Sequence, residues 1–260
     1  MKSPVSVPAA SLTLPGSVLV TGAAGGIGAA CVRRLAEAGV YVVASDVRIP
    51  ESAVQAGMPG VRWVRADLCN SADRQRLIAE AGTGLGGLVQ AAGIIDGAPW
   101  TTIDEAEIDR ILAVNIKAPL LLLRDLTAAL TDGASLVLVG SIAARRASPN
   151  AMVYAASKAA LHSLAASLAL ALSPRAIRVN IAAPGLIDTP LTDTLNARLS
   201  AEAGIDVAAM ASRRAADIPL SRLGTPDDVA RTCLWMLSRE AGYLTGSTLF
   251  STGGVLAGAI

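Results

Sequence analysis

With 260 residues, 52% of them hydrophobic, the chain can bury most of its apolar surface in one large domain, which excludes a disordered protein. Twenty-two Lys and Arg against 21 Asp and Glu leave a formal charge of +1, so no bulk field draws in nucleic acid or an anionic membrane. Cys31, Cys69 and Cys233 are odd in number and far apart, as expected of free thiols in the cytoplasm, and one histidine without a Cys-x-x-Cys leaves no basis for a metal site or a Ser-His-Asp triad.

Residues 1–15 carry Pro4, Pro8 and Pro15 where a signal peptide needs an unbroken apolar core, and they read as a flexible amino-terminal extension. Beyond them, short runs rich in Val, Leu and Ile alternate with longer stretches of helical period. Strands are predicted at 18–21, 40–45, 61–66, 88–91, 135–140, 177–181 and 247–250, and helices at 26–38, 104–130, 151–172 and 226–237. The strand runs are continuously apolar, as expected when helices cover both faces of a parallel sheet. The fold class is therefore α/β: one doubly wound domain spanning 1–260, with a seven-stranded parallel sheet and helices on both faces. No segment reaches 18 uninterrupted apolar residues, so no membrane span is expected. Two irregular regions, 93–102 and 184–219, leave from strand carboxyl ends, where open parallel sheets bind ligands. The second is expected to cover the substrate.

The first strand runs into Thr21-Gly22-Ala23-Ala24-Gly25-Gly26-Ile27-Gly28, followed by a helix. Free backbone N–H groups at a helix amino terminus, approachable because glycine has no Cβ, are what a pyrophosphate needs. Asp46 ends the second strand eighteen residues after Gly28, where a carboxylate accepts hydrogen bonds from adenosine ribose hydroxyls and repels a 2′-phosphate. With no basic side chain in the turn, NAD is expected rather than NADP, although Arg48 lies nearby. Asp67, just past the third strand, is placed to accept from an adenine amino group. These features make the domain Rossmann-type.

Tyr154 and Lys158 stand four apart in an Ala-rich helix and so share a face one turn apart. With three tyrosines and three lysines in the chain, roughly 0.03 such pairs are expected by chance. A phenol is a poor acid-base catalyst until a nearby cation stabilises its phenolate, and the ammonium supplies that charge while also reaching a nicotinamide ribose. Ser141 follows the apolar strand ending at Gly140, so its hydroxyl projects from a strand carboxyl end, where it can hydrogen-bond a substrate oxygen. Asn115, in a long helix that asparagine does not favour, is expected to hold a water that relays protons to Lys158. His162, roughly 12 Å along the helix from Tyr154, is read as a buried or interface residue.

In order and spacing, Thr21-Gly22-x-x-x-Gly26-x-Gly28, Asp46, Asp67, Ala92-Gly93, Asn115, Ser141, Tyr154-x-x-x-Lys158 and Pro184-Gly185 resemble the short-chain dehydrogenase/reductase family over nearly the whole chain. That resemblance implies a catalytic tetrad of Asn115, Ser141, Tyr154 and Lys158. It implies cofactor contacts from Gly22, Gly26, Ile27, Gly28, Asp46, Asp67, Leu68, Ala92, Gly93, Tyr154, Lys158, Pro184, Gly185, Ile187 and Thr189, with Ile187 and Thr189 at the nicotinamide carboxamide. It also implies no metal and a homo-oligomer, tetramer or dimer, for which the apolar helices at 104–130 and 151–172 would supply a face. The chain departs from the family at Gln90-Ala91-Ala92-Gly93, usually Asn-Asn-Ala-Gly, which questions the bonding that stiffens the fourth strand. It departs again at Thr252-Gly253-Gly254, usually Asp-Gly-Gly, and in the short stretch after Asp67, where an abbreviated helix is expected.

The expected activity is interconversion of a secondary alcohol and a ketone with NAD(H). A cyclic hydroxy acid or dihydrodiol, such as a 2,3-dihydro-2,3-dihydroxybenzoate, is the substrate class that Ile187-Asp188-Thr189-Pro190-Leu191 resembles. Arg145 and Arg146 just after Ser141, or Arg198, Arg213 and Arg214 in the covering segment, would then meet a carboxylate, and Trp100 and Met152 a ring. The alternatives are an NADPH-dependent 3-oxoacyl reductase and a dinucleotide-sensing regulatory protein without turnover.

Overall fold

Alternate residues of strand β1 (Ser17–Thr21) enter two different cores, Leu19 one and Val18 with Val20 the other, so the strand is buried on both faces. Here a computed structural model, the structure describes residues 12–49, 51, 57–95, 100–147 and 151–257. After β1 come α1 (Gly26–Glu37), β2 (Tyr41–Asp46), β3 (Val61–Arg65), α2 (Ser71–Ala81) and β4 (Leu85–Gln90). Then follow α3 (Glu105–Leu112), a π turn (Ala113–Lys117), α4 (Ala118–Leu126), β5 (Leu130–Val139), α5 (Met152–Leu172) and β6 (Arg178–Pro184). The chain continues through α6 (Pro190–Ala203), α7 (Val207–Ala216), α8 (Pro226–Leu237) and β7 (Thr248–Ser251).

The seven strands form one sheet in the order β3-β2-β1-β4-β5-β6-β7, every neighbouring pair parallel. Leu77 of α2, Leu122 and Leu126 of α4 and Leu161 of α5 pack on one face with Leu88 and Leu136. Cys31 and Leu35 of α1 with Val229 and Cys233 of α8 pack on the other with Val89 and Val137. This is the doubly wound α/β architecture expected from the continuous apolar strands.

Four expectations need correction. The stretch after Asp67 holds a full three-turn helix, α2, started by Asn70, whose side chain accepts from the Asp73 amide, and ended at Gly82. The segment 184–219 is largely helical rather than irregular. Thr189 caps α6 with Pro190 in its first turn, left-handed Gly204 ends it, and Asp206 caps α7. The apolar periodicity of α6 is weak, so its caps are its main signal in the sequence. The expected helix at 104–130 is interrupted by the π turn, and such insertions frequently mark functional positions. Within the expected extension, residues 12–15 are anchored: the Thr13 amide donates to the Glu240 carboxylate at 3.1 Å, and Leu12 and Leu14 pack against the second core. Residues 1–11 lie outside the described residues.

With the turn that follows to Arg175, α5 is long and apolar enough to cross a membrane by length and composition. Its Leu161, Ala165 and Ala169 nevertheless belong to the core of this fold.

The neighbours β1 and β4 bring two turns together at their carboxyl ends. Gly22 has φ +64°, and a Cβ there would sit 2.7 Å from the Ala92 nitrogen; a Cβ on Gly28 would overlap the Gly22 carbonyl. Gly25 has open space around it. Gly22→Ala is therefore expected to lose about 1–3 kcal/mol through backbone conformation alone, and more through overlap. Gly25→Ala should leave stability unchanged, and urea denaturation giving equal losses for the two variants would contradict this packing.

Candidate active site

The two turns are fastened by Gln90 at the end of β4. The Thr21 hydroxyl donates to Gln90 Oε1, which also accepts from the Ala92 amide at 3.1 Å, while Gln90 Nε2 donates to the Ala92 carbonyl at 3.3 Å. Glutamine thus supplies the bonding that the departure from Asn-Asn-Ala-Gly had put in question. Helix α1 begins at Gly26 with no side-chain cap and no acidic residue in its first turn. Its first amides have no side-chain partner among the described residues, which suits an anion. Ile27 packs against the second core. At the end of β2, Asp46 Oδ2 accepts from the Ala24 amide at 3.1 Å and Oδ1 from the Arg48 amide at 3.2 Å, so the carboxylate lies directly beside the glycine-rich turn. Asp67 is exposed beyond β3 and accepts from the Cys69 amide at 2.9 Å, and Leu68 is buried beside it.

A second cluster meets the first at Gly93. A Cβ on Gly93 would lie 3.4 Å from both Asn115 Oδ1 and Lys158 Nζ. Lys158 is buried; its Nζ donates to the Val139 carbonyl at 2.9 Å and lies 5.6 Å from the centroid of the Tyr154 ring. Burial pushes the Lys158 ammonium down to about 8, because removing water penalises the charged form. Ser141, also buried, starts a single 3-10 turn in which its hydroxyl oxygen accepts from the Ala143 amide at 3.1 Å.

Asn115 sits in the middle of the π turn. Its Oδ1 accepts from the Ile94 amide at 2.9 Å, and its Nδ2 donates to the Ile94 carbonyl at 2.9 Å and to the Ser157 hydroxyl at 3.0 Å. Both amide hydrogens are taken, and the side chain braces the π turn, the loop after β4 and α5. Ser157, which the sequence reading passed over, completes the brace by donating to the Tyr154 carbonyl at 2.7 Å. Its signal was its place between Tyr154 and Lys158, where a helical serine can bond back one turn.

The loop after β6 closes the site. Pro184 pairs with Ser251 of β7, and the Gly185 amide donates to the Ser251 carbonyl at 2.9 Å. Buried Ile187 forms an isolated parallel bridge with Gly224, a partner not foreseen from the sequence. Thr189 caps α6 and places its methyl carbon 3.3 Å from where a Gly26 Cβ would lie, so the loop touches the glycine-rich turn. Of the residues expected at the substrate, Met152 begins α5 half exposed, two residues before Tyr154, and Arg146 is exposed. Arg145 places its guanidinium 5.3 Å from the Phe250 ring centroid. Trp100 is 65% exposed, with no described contact to the cluster. A cleft of about 690 Å³ opens at the opposite, amino edge of the sheet, between Ser17, Gly86, Asp132 and Arg178, away from all these groups.

Residues 22–256 match the family model described as Enoyl-(Acyl carrier protein) reductase. The chain is 30% identical over 244 residues to galactitol 2-dehydrogenase of Agrobacterium fabrum, covering 91% of this chain and 95% of that protein. It is 32% identical to the 3-oxoacyl-[acyl-carrier-protein] reductase of Rickettsia conorii, covering 92% and 95% respectively. Among solved structures, a short chain dehydrogenase family protein from Francisella tularensis superposes with a TM-score of 0.86 at 29% identity, covering 94% of this chain and 99% of that one.

The imidazole of His162 packs where a Gly140 Cβ would stand, and its Nε2 has no partner among the described residues. Burial, then the charges of Lys158 and Arg145, pushes it down to about 4. The unfolded chain therefore binds this proton from about pH 6.5, the folded one only near 4, so stability from this group is lost as pH falls between those values. Melting curves should show His162→Gln losing less stability than the wild type between pH 6.5 and 4; parallel pH profiles would contradict the assignment.

Proposed function

The chain belongs to the short-chain dehydrogenase/reductase family, and we propose that it is an NAD(H)-dependent enzyme interconverting a secondary alcohol and a ketone. The observation that carries this reading is the meeting of Lys158 with Tyr154, Asn115 and Gly93 beside an uncapped glycine-rich helix start. An anionic pyrophosphate suits the first amides of α1, and Asp46 suits the adenosine ribose hydroxyls. Asp67 and Leu68 would border the adenine, Ala92 and Gly93 the middle of the cofactor, and Pro184, Gly185, Ile187 and Thr189 the nicotinamide. When bound, NAD supplies the hydride acceptor, and NADH the donor, at the nicotinamide ring.

The chain's own residues supply the proton chemistry. Tyr154, favoured as a phenolate by the ammonium of Lys158, takes the proton of the substrate hydroxyl during oxidation and returns it during reduction. Ser141 presents a hydroxyl to the substrate oxygen. Lys158 is held by the Val139 carbonyl, and Asn115 with Ser157 holds the π turn and α5 in register. The mostly oxidised cellular NAD pool favours the oxidation direction. A cyclic hydroxy acid or dihydrodiol is the proposed substrate class, and the cytoplasm the proposed location, in keeping with Cys31, Cys69 and Cys233 as free thiols.

The carboxylate of Asp46 beside the Ala24 amide supports NAD, since a 2′-phosphate brought there would meet a negative charge. The second reading, an NADPH-dependent 3-oxoacyl reductase, draws on the likeness to the Rickettsia conorii reductase and on Arg48 two residues beyond Asp46. A sensor without turnover would have no use for a buried ammonium held against a phenol. We further propose a homo-oligomer assembled through α4 and α5, where Leu120 and Leu170 are exposed.

Tyr154→Phe separates enzyme from sensor. Across a panel of secondary alcohols including galactitol and cyclic hydroxy acids, the variant should lose about 10²–10⁴ in kcat on each alcohol that the wild type oxidises. Its NADH affinity should stay within about twofold, because the hydroxyl is removed and the ring kept. Undiminished turnover in the variant, or a wild type with no turnover on any member of the panel, would contradict the proposal.

A further inference from the structure

Tyr154, Lys158 and His162 stand at successive turns of one face of α5, and the second and third of them meet the end of β5 in register. Lys158 Nζ donates to the Val139 carbonyl at 2.9 Å. One turn further along the helix, the imidazole of His162 fills the space beside the next residue: a Cβ on Gly140 would overlap Nε2 and lie 3.1 Å from Cδ2. A methyl there would also stand 2.6 Å from Ile181 Cγ2 of β6, so the close approach needs glycine. Ser141 follows Gly140 directly, and the histidine therefore packs on the backbone from which the Ser141 turn departs.

The far end of the same turn is held through Phe250 of β7. Its ring lies 6.2 Å from that of His162, centroid to centroid, and is tilted by 47°, which is ordinary contact for an aromatic pair. The guanidinium carbon of Arg145 lies 5.3 Å from the Phe250 centroid, within reach of a cation–π contact. Arg145 in turn closes the 3-10 turn, its amide donating to the Ile142 carbonyl at 2.9 Å. Gly140, His162, Phe250 and Arg145 thus form a chain of contacts that clamps the serine turn at both ends. Because α5 supplies Tyr154 as well as the histidine, the clamp registers that turn against the helix that carries the tyrosine.

We propose that His162, Phe250 and Arg145 are positioning residues that hold the Ser141 hydroxyl at its working distance from Tyr154. This rests on the oxidoreductase reading, in which Ser141 bonds the substrate oxygen while Tyr154 moves its proton. A misplacement of about 1 Å between reacting groups lowers a rate by as much as about 10², so the loss from a loosened clamp should fall on kcat.

Phe250→Leu removes the aromatic face and keeps an apolar side chain, whereas Phe250→Tyr keeps the face. Hydrogen exchange of the full-length protein, followed by mass spectrometry, should show the amides of residues 140–146 exchanging about tenfold or more faster in Phe250→Leu and at the wild-type rate in Phe250→Tyr. Arg145→Gln, a change at an exposed side chain, should speed the same amides to a smaller degree. On an alcohol that the wild type oxidises, Phe250→Leu should lower kcat by about tenfold or more with KM within about twofold, and Phe250→Tyr should keep the wild-type kcat. In a Ser141→Ala background Phe250→Leu should cause no further loss, because the serine through which the clamp acts is gone. An equal loss in both backgrounds, or unchanged exchange of the turn in Phe250→Leu, would overturn the proposal. Absence of turnover in the wild type would count against the oxidoreductase reading instead, and the exchange measurement would still decide whether the clamp holds the turn.

Discussion

The carboxyl end of the sheet is organised around one ammonium held out of water. Lys158 reaches from α5 to the Val139 carbonyl at the end of β5 and has no ion-pair partner among the described residues. A buried cation satisfied by a carbonyl is an electrostatic source, and a neighbouring group able to become an anion lowers its energy. Tyr154 is that neighbour. The loop after β4 comes close to Lys158 at Gly93, and the π turn brings Asn115 to the same point. Three segments distant in sequence thus converge on the ammonium: the end of β5, the loop after β4 and the π turn.

The dinucleotide half of the site rests on a comparable constraint. Gly22 and Gly28 let the turn after β1 fold tightly against the turn after β4, with Thr21 and Gln90 fastening them from below. The result is an uncapped helix start and a carboxylate at Asp46 beside the point where strand order reverses between β1 and β4, the place where open parallel sheets bind ligands. A polyol dehydrogenase and an acyl reductase both appear among the relatives, so the shared scaffold accommodates more than one substrate. What distinguishes such enzymes lies in the side chains around the crevice mouth. Here Thr189, which caps α6, reaches the glycine-rich turn at Gly26.

Most of this was legible in the sequence because strands buried on both faces are continuously apolar and because a Tyr-x-x-x-Lys pair is improbable in a chain with so few of either residue. All seven strands and their parallel arrangement were readable on that basis. What was not readable depended on contacts between distant segments or on local hydrogen bonding without apolar periodicity. Helix α6 is marked mainly by Thr189 and Pro190, and caps alone are weak signals; α7 is too short for its period to stand out in an Ala-rich stretch. The π turn at Asn115 adds one residue to a helical repeat, which the pattern of apolar positions does not reveal. Gln90 looked like a lost asparagine, and only the distance from β4 to Thr21 shows how a longer amide keeps the turns joined. The contacts of His162 with Gly140 and Phe250 likewise emerge only when α5, β5 and β7 are folded together.

The glycine-rich turn and Asp46 are proposed to make a site for NAD(H) that the Tyr154–Lys158 pair then serves. The most direct measurement is fluorescence titration of the wild-type protein and Asp46→Ala with NADH and NADPH. The wild type should bind NADH at least about tenfold more tightly than NADPH, and Asp46→Ala should narrow this preference by weakening NADH and relieving the repulsion of a 2′-phosphate. Preferential binding of NADPH by the wild type would contradict it, placing Arg48 ahead of Asp46 and the reductase reading ahead of the dehydrogenase.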